Sequence, residues 1–210
     1  MIAQKVLPKA PRMTPAEYLE WDRQQEGRHE YVDGKIIAMA GVSRKHNLIA
    51  GNIHTSINVQ IANRPCEAYM ESLRVRVSVT RYRLPDVVAT CLEPTFEDDV
   101  FDTLLNPQLL VEVRSKSTQI TDMVAKLNEY KRIESLTDYL IATQDQMLIL
   151  HYTRSSDGWN LRIYALPEEI IRIESLDISL TVADVYRKVV LPEPETEAGE
   201  DGTPSQPPPS

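Results

Sequence analysis

The chain has 210 residues, of which 42% are hydrophobic, so it is long enough for one domain with a sizeable core. Its two cysteines, Cys66 and Cys91, exclude a disulfide framework and a cysteine-rich zinc site. The first residues lack the apolar core of a signal peptide, and no stretch approaches the roughly 18 apolar residues of a membrane span, which predicts a soluble, cytoplasmic protein.

The formal net charge of −8 comes mostly from one end of the chain. Residues 192–210 contain five acids and no base, which leaves 26 acids against 23 bases elsewhere. This segment is rich in Pro, Glu, Gly and Ser, and we interpret it as a disordered tail because it cannot bury a core. The nearly balanced charge of the rest neither supports nor excludes a nucleic-acid partner.

The first predicted element is a helix that follows an N-terminal extension, residues 1–13. Thr14 is a suitable N-cap for this helix, and Glu17 completes a capping box. A β-hairpin is predicted next, because Asp33-Gly34 is a tight-turn signal between two short β-like runs.

A second helix is predicted after its N-cap, Ser43. Apolar residues recur there at helical spacing: Leu48, Ile49, Ile53, Ile57 and Ile61. The period then changes to strict alternation over residues 73–80, which predicts a half-buried strand. Its apolar face comprises Val75, Val77 and Val79, and its polar face comprises Arg74, Arg76 and Ser78.

The second half of the chain is predicted to alternate between strands and helices. Residues 84–93 and 109–115 form two strands, and residues 121–135 form an amphipathic helix with Thr121 as its N-cap. The apolar stripe of this helix comprises Val124, Leu127 and Ile133. The remaining elements are strands over residues 138–143, 147–153, 159–166 and 169–175 and a short helix over 181–190. This order predicts one α/β domain, residues 14–191, with a mixed sheet.

Glu112 is the most unusual residue of the predicted strands, because it lies between Val111 and Val113 in an apolar run. Such a run is typical of a strand that is buried on both faces. A lone ionised carboxylate there would cost several kcal/mol of folding free energy. Glu112 is therefore protonated, paired with a cation, bound to a metal, or directed into a solvated cleft.

Several other polar residues occupy positions from which they can reach Glu112. Asp86 lies where another strand enters the core, and Glu30 lies at the start of the hairpin. Residues spaced by four share one face of the following helix: Asp122, Lys126 and Tyr130. Carboxylates from two neighbouring strands, with a lysine from a covering helix, suit a hard divalent cation and metal-assisted phosphodiester hydrolysis.

Five motifs occur in order along the chain: EYVDG at residues 30–34, His46, Pro85-Asp86, EVRSKST at residues 112–118, and the helical set Asp122, Lys126 and Tyr130. Together they resemble the PD-(D/E)xK restriction-endonuclease-like superfamily and, more narrowly, the Uma-two family, which is much expanded in cyanobacteria. The resemblance covers about residues 14–190. It implies a restriction-endonuclease-like core, which is a central mixed β-sheet flanked by helices.

The resemblance also implies a catalytic site that contains a metal. Asp86 and Glu112 would be the ligands of Mg²⁺, for which Mn²⁺ would substitute. Glu30 would contribute a further carboxylate to this acidic site.

The resemblance assigns the catalytic lysine to Lys126, with Asp122 and Tyr130 in supporting positions. In the wider superfamily the lysine stands two residues after the second acid, and Arg114 occupies that position here. Lys116 replaces the proline that is usual in the family. These two additional cations either hold phosphate or take the role of the lysine.

Each of these assignments has a structural alternative. Glu112 is also explained by an ion pair with Arg114 or Lys126, since buried acids are usually paired. Asp86 follows a proline and is alternatively explained as a residue that caps a turn. Lys126 is alternatively explained as a solvated residue of an amphipathic helix, and Glu30 as an exposed acid of an edge strand.

His46, Arg74 and Arg76 are weaker candidates for nucleic-acid or phosphate contact. His46 lies near the start of a helix, where it contacts phosphate, relays a proton or is a surface residue. Arginines on the exposed face of an edge strand either follow a phosphate backbone or prevent edge-to-edge association.

Two functional hypotheses follow from these observations. The first is a magnesium-dependent endonuclease that acts on DNA, with RNA not excluded and with no membrane partner. A homodimer is consistent with it, because duplex cleavage needs two active sites or two visits. The second is a catalytically degenerate protein that uses a nuclease fold for binding or assembly, since fold does not determine function.

Overall fold

The computed structural model describes residues 12–39, 41–70, 72–115 and 120–192. Most of the predicted N-terminal extension and tail, residues 1–11 and 193–210, lies outside these ranges. Lys116 also lies outside them, and so do the side chains of Thr121 and Asp122. What the sequence predicts for these residues stays a prediction.

The described residues form helices, strands and one short 3₁₀ helix, Glu174–Leu176. The helices are α1 Pro15–Asp22, α2 Arg44–Ile61, α3 Ile120–Tyr130 and α4 Val182–Val185. The strands are β1 His29–Val32, β2 Lys35–Ala38, β3 Glu67–Met70, β4 Arg74–Ser78, β5 Arg81–Arg83, β6 Val87–Thr90, β7 Thr103–Leu104, β8 Leu109–Arg114, β9 Asp138–Thr143, β10 Ile149–Ser155, β11 Gly158–Tyr164, β12 Ile170–Ile173 and β13 Ile178–Thr181. Within the described ranges, no helix is long and apolar enough to cross a membrane.

The predicted start of α1 and the predicted hairpin are both confirmed. The Thr14 hydroxyl accepts a hydrogen bond from Glu17 N at 3.3 Å, and the Glu17 carboxylate accepts one from Thr14 N at 2.7 Å. These two bonds form a complete capping box. Strands β1 and β2 pair antiparallel, and the turn residues Asp33 and Gly34 have φ of 50° and 88°. Both values lie in the left-handed region that tight hairpin turns require.

The central sheet has six strands in the order β11-β10-β9-β8-β6-β3. Strands β8 and β9 are parallel, and the other neighbouring pairs are antiparallel, so the predicted mixed sheet is confirmed. A second sheet has the order β2-β1-β5-β4-β7, and β12 and β13 form a separate two-stranded ribbon. The parallel β8–β9 pair is joined through α3, as parallel strands require a crossover.

Different helices cover the two faces of the central sheet. On one face, Val111 of β8 packs in a core with Ile53 of α2. On the other face, Leu110 of β8 packs in a core with Tyr130 of α3. Because successive residues of a strand point to opposite faces, Glu112 lies on the α3 side.

Two predictions for strand β4 are wrong. Val79 is 75% exposed, because the strand ends at Ser78 after an irregularity in its pairing with β5. Arg74 does not face solvent, because its guanidinium is buried. It donates a hydrogen bond to Asp22 at 2.6 Å and also pairs with Asp102.

The apolar stripe predicted for α3 is wrong at its first position. Val124 is 50% exposed, whereas Lys126 and Tyr130 are buried. The face of α3 that packs on the sheet is therefore the one that carries the polar residues spaced by four.

Cys66 and Cys91 form a disulfide bond. The composition excluded a framework of several bridges but indicated nothing about this single one. Strands β3 and β6 pair antiparallel with Glu67 opposite Thr90, so the two cysteines face each other just beyond the paired residues. The bond fastens the edge strand β3 to β6.

Candidate active site

Lys126 is the buried centre of the polar face of α3, with only 1% of its surface exposed. Its Nζ donates hydrogen bonds to Glu112 Oε1 at 2.9 Å and to Glu30 Oε1 at 3.1 Å. The Tyr130 hydroxyl donates to the same Glu112 oxygen at 2.7 Å. The fold thus brings together four of the predicted site residues from β1, β8 and α3.

Burial decides several of the structural alternatives. Glu30 is fully buried rather than exposed on an edge strand, and Lys126 is not solvated. The ion pair expected as one explanation of Glu112 exists with both candidate cations, because Arg114 NH2 also lies 2.9 Å from Glu112 Oε2. Arg114 reaches this carboxylate because residues two apart on a strand share a face.

Asp86 is held beside Glu112 by the pairing of β6 with β8. Val87 lies opposite Val111, so Asp86 and Glu112 both lie just beyond the last paired residues of the two strands. Asp86 Oδ2 accepts a hydrogen bond from Val113 N at 2.7 Å, and Asp86 N donates one to Val111 O at 3.0 Å. The carboxylate is therefore fixed at the end of the strand pair, with 8% of the residue exposed.

His46 joins the site from the first turn of α2 rather than lying on the surface. The Ser43 hydroxyl accepts a hydrogen bond from His46 N at 3.1 Å, which confirms Ser43 as the N-cap. The imidazole is buried, and its Nε2 lies 3.1 Å from Asp86 Oδ2. Its Nδ1 has no hydrogen-bond partner among the described residues.

Sequence reasoning missed a supporting pair, Arg83 and Glu129, as part of the site. Arg83 NH1 donates to Glu30 Oε2 at 2.6 Å, and its Nε and NH2 each donate to Glu129 at 2.9 Å. Glu129 also accepts from Arg81 NH1 at 2.9 Å. One available signal was the three-residue step from Lys126 to Glu129, which places both side chains on one helix face.

The cations keep the buried acids ionised. Burial opposes the ionisation of Glu112, but Arg114 and Lys126 outweigh it and hold the pKa of Glu112 well below its ordinary value. Burial is likewise outweighed for Glu30, whose pKa is lowered chiefly by Lys126 and Arg83. Both carboxylates therefore carry a negative charge at neutral pH.

Tyr130 is affected in the opposite direction by the same surroundings. Burial and the adjacent Glu112 carboxylate raise the pKa of Tyr130 well above its ordinary value. The phenol therefore stays protonated and acts as a fixed hydrogen-bond donor to Glu112.

Arg74 and Arg76 lie in the other sheet, on β4, and both have acidic partners there. Arg74 is buried between Asp22 and Asp102, and Arg76 NH1 lies 2.9 Å from Glu97 Oε2. Since the guanidinium of Arg74 is buried, the expected exposed row of arginines is wrong at that residue. Phosphate contact by Arg76 stays a prediction.

The oxygen donors of Asp86 and Glu112 fit the cation that the resemblance implies. Asp86 uses Oδ2 for both of its contacts, and Oδ1 makes no hydrogen bond with any residue in the described ranges. Mg²⁺ commonly takes one or two carboxylates and completes its shell with water and substrate phosphate. In the described part of the chain, no group of three His, Cys, Asp or Glu side chains is placed to hold a metal unaided.

Comparison with known proteins places this chain in a family. The model of the Uma2 family, described as "Putative restriction endonuclease", matches residues 15–183. An uncharacterised protein of Synechocystis sp. is 32% identical over 189 residues, which cover 89% of this chain and 98% of the relative. A second uncharacterised Synechocystis protein is 32% identical over 146 residues, which cover 69% of this chain and 82% of the relative.

A solved structure shares the fold. The crystal structure of a protein from Anabaena variabilis, described as "a putative nuclease belonging to DUF820", matches with a TM-score of 0.68 and 18% identity. The match covers 83% of this chain and 97% of the Anabaena chain. The family match spans all the motifs from Glu30 to Tyr130. The chain therefore belongs to the Uma2 family of restriction-endonuclease-like proteins.

Proposed function

We propose that the protein is a metal-dependent nuclease that hydrolyses phosphodiester bonds in DNA. The observation that carries this proposal is the buried Glu112 carboxylate, which lies between Lys126 and Arg114. Asp86 is hydrogen-bonded to Val111 and Val113, the residues on either side of Glu112. Buried ion pairs contribute little to stability compared with apolar packing. Clusters of buried titratable groups with perturbed pKa values are typical of functional sites.

The residues of the chain take distinct roles in this proposal. Asp86 and Glu112 would hold a divalent cation, which supplies Lewis-acid stabilisation and an activated water when bound. Lys126 would orient the attacking water, and Arg114 would offer a guanidinium to phosphate oxygens. His46 holds Asp86 through Oδ2, which keeps Oδ1 available.

The supporting residues hold the reacting groups in position. Tyr130 holds Glu112 by a hydrogen bond, and Glu30 holds Lys126 from the other side. Arg83 in turn holds Glu30 at 2.6 Å. Such a supporting layer limits the movement of catalytic groups, which nuclease chemistry requires for in-line attack.

The first test needs no knowledge of the nucleic-acid sequence. Mn²⁺ is titrated by calorimetry into the full chain and into Glu112→Gln and Asp86→Asn, with and without a short oligonucleotide. We expect stoichiometric binding that is lost in both variants and retained in the exposed control Glu93→Gln. Equal binding by the wild type and both variants would refute the assignment of these ligands.

The second test measures cleavage. Pools of random-sequence double-stranded DNA, single-stranded DNA and RNA are incubated with Mg²⁺ or with a chelator. We expect DNA to be cut only with the metal, and the rate to fall by about 100-fold or more in Asp86→Asn. Undiminished cleavage by Asp86→Asn would contradict the proposal, and cleavage of the RNA pool alone would overturn the choice of DNA.

One observation favours a second function, binding or assembly without catalysis. Both oxygens of Glu112 and both oxygens of Glu30 already have cationic partners within the protein. This network is complete without metal or substrate and can serve structure alone. Absence of Mn²⁺ binding to the wild type, even with the oligonucleotide, would select this function.

A further inference from the structure

A second polar site lies on the opposite face of the central sheet. It is a cavity of about 770 Å³ whose walls come from β9 to β12 and the 3₁₀ helix. Its residue His151 pairs with Leu140, which belongs to the core on the α2 side, whereas Glu112 faces α3. The sheet therefore separates this cavity from the network of Lys126 and Glu112.

The inner wall of the cavity contains a buried acid and histidine. Asp138 Oδ1 lies 2.7 Å from His151 Nε2, and both residues are at most 4% exposed. Asp138 Oδ2 accepts hydrogen bonds from Ser175 Oγ at 2.6 Å and Thr137 Oγ1 at 2.8 Å. Because the carboxylate is an acceptor, His151 Nε2 must donate, and the ring is thereby fixed in orientation. His151 Nδ1 makes no hydrogen bond with any described residue.

Three exposed arginines line the cavity. Arg154 donates its hydrogen bonds to backbone oxygens of Lys131, Ile133 and Leu136. The other two, Arg162 and Arg172, lie on the outer wall. Neither guanidinium donates a hydrogen bond to a residue that the structure describes, although Arg162 lies 5.8 Å above the Tyr164 ring. Some other arginines of the described chain pair with carboxylates, as Arg74 and Arg83 do. The chain as a whole has an excess of acids, yet the guanidinium groups of Arg162 and Arg172 make no hydrogen bond to a described residue. Two such groups at one cavity favour the binding of an anion there.

The remaining lining residues indicate the size and character of the anion. Small-molecule sites typically have volumes of ~300–1,000 Å³, far more than inorganic phosphate needs. Leu161 and Ile170 line the cavity and are 48% and 51% exposed, so they offer apolar surface beside the two arginines. One exposed carboxylate, Glu174, also lines the cavity and opposes anion binding.

We infer that this cavity binds a phosphate-bearing small molecule of mononucleotide size. Arg162 and Arg172 hold the phosphate group by charge-assisted hydrogen bonds. The apolar surface of Leu161 and Ile170 packs on the rest of the ligand. The oriented His151 supplies a further polar contact at the inner wall.

The test is calorimetric titration of the full chain, without metal, with adenosine 5′-monophosphate, inorganic phosphate, adenosine and a 5′-phosphorylated oligonucleotide. We expect the monophosphate to bind more tightly than phosphate or adenosine. Arg162→Gln and Arg172→Gln should each weaken its binding by about tenfold, since each removes a charged donor. Glu174→Gln should tighten binding, and the exposed control Arg187→Gln should leave it unchanged.

Several results would overturn the inference. They are the absence of monophosphate binding, adenosine binding as tight as that of the monophosphate, and losses in Arg187→Gln as large as in the cavity variants. Binding of the oligonucleotide without the monophosphate would replace the small ligand by a nucleic-acid backbone. Glu112→Gln should retain monophosphate binding, so failure of the proposed nuclease and failure of this inference are distinguishable.

Discussion

The two faces of strand β8 contact surroundings of opposite polarity. Val111 faces an apolar core beneath α2, in which Ile53 is fully buried. Glu112, the next residue, faces a polar network beneath α3 that includes Lys126 and Tyr130. The apolar side gains stability by removing hydrocarbon from water, whereas the polar side must compensate the desolvation of each charge with a partner. The difference indicates that Val111 of β8 maintains the fold, whereas Glu112 serves the chemistry proposed above.

Removal of one partner from the polar side is expected to have the largest effect on stability. Lys126→Met leaves Glu30 and Glu112 buried without their shared cation, which should lower the free energy of unfolding by about 3–5 kcal/mol. Urea unfolding followed by circular dichroism measures the change. Combining Lys126→Met with Glu30→Gln and Glu112→Gln should recover much of the loss, and no recovery would mean that packing, not charge, dominates there.

Truncation of a buried side chain on the apolar side should lower stability without any effect on metal binding. Ile53→Ala is expected to lower the free energy of unfolding by about 2–5 kcal/mol, because it leaves a cavity beneath α2. Mn²⁺ affinity, measured by calorimetry at a temperature where the variant is folded, should be unchanged. A large loss of affinity would show that the two faces of β8 are coupled, and the claim that they have separate roles would then be wrong.

Lowering the pH should reduce the stability contributed by the α3 side more than that contributed by the α2 side, because the site carboxylates on the α3 side have lowered pKa values. The pKa of Glu112 falls from 4.5 to about 2 on folding. Its stabilising effect is therefore fully present above pH 4.5 and is lost as the pH falls toward about 2. The free energy of unfolding of Glu112→Gln should depend less steeply on pH in this window and should fall by about 3 kcal/mol less than that of the wild type. Urea unfolding at each pH measures it. Ile53→Ala should keep the wild-type slope, and equal slopes in all three proteins would contradict the prediction.

The smallest expected effect is that of a single hydrogen bond. Tyr130→Phe removes the donor to Glu112 Oε1 and should cost about 1.5–3 kcal/mol, as for hydrogen bonds to charged groups. The cost should fall to about 0.5–1.5 kcal/mol in the Glu112→Gln background, because the amide oxygen of glutamine is a neutral acceptor. A double-mutant cycle by urea unfolding measures this coupling, and full additivity would exclude it.

Local signals in the sequence were sufficient for much of the fold. The capping box at Thr14, the Asp33-Gly34 turn and the N-cap Ser43 are short-range effects, and all three are confirmed. Four short strands, β3, β5, β7 and β13, were missed because they are two to four residues long and depend on their neighbours for pairing. The Cys66–Cys91 bond likewise depends on pairing between distant segments. The exposure of Val79 has a local cause, because this residue lies in the short connection in which Ser78 of β4 pairs with Arg81 of β5.

The site was predictable where a residue violated its local pattern. Glu112 in an apolar strand indicated a partner, and the four-residue spacing of Lys126 and Tyr130 indicated where that partner lies. Arg83 and Glu129 violated no such pattern, since arginine on a short strand and glutamate on a helix are both ordinary. The position of Arg74 beside Asp22 depends on contacts across 52 residues, which no local spacing reveals.

A lysine with 1% of its surface exposed cannot touch a polymer that lies outside the protein. Its Nζ meets such a substrate only when α3 shifts or when the Glu30 and Glu112 side chains turn aside. Either motion breaks hydrogen bonds of 2.9 to 3.1 Å, so the open form is the rarer one. Lys126 should consequently resist amine acylation while surface lysines react. The rate at which Lys126 is acylated would report how often the site opens.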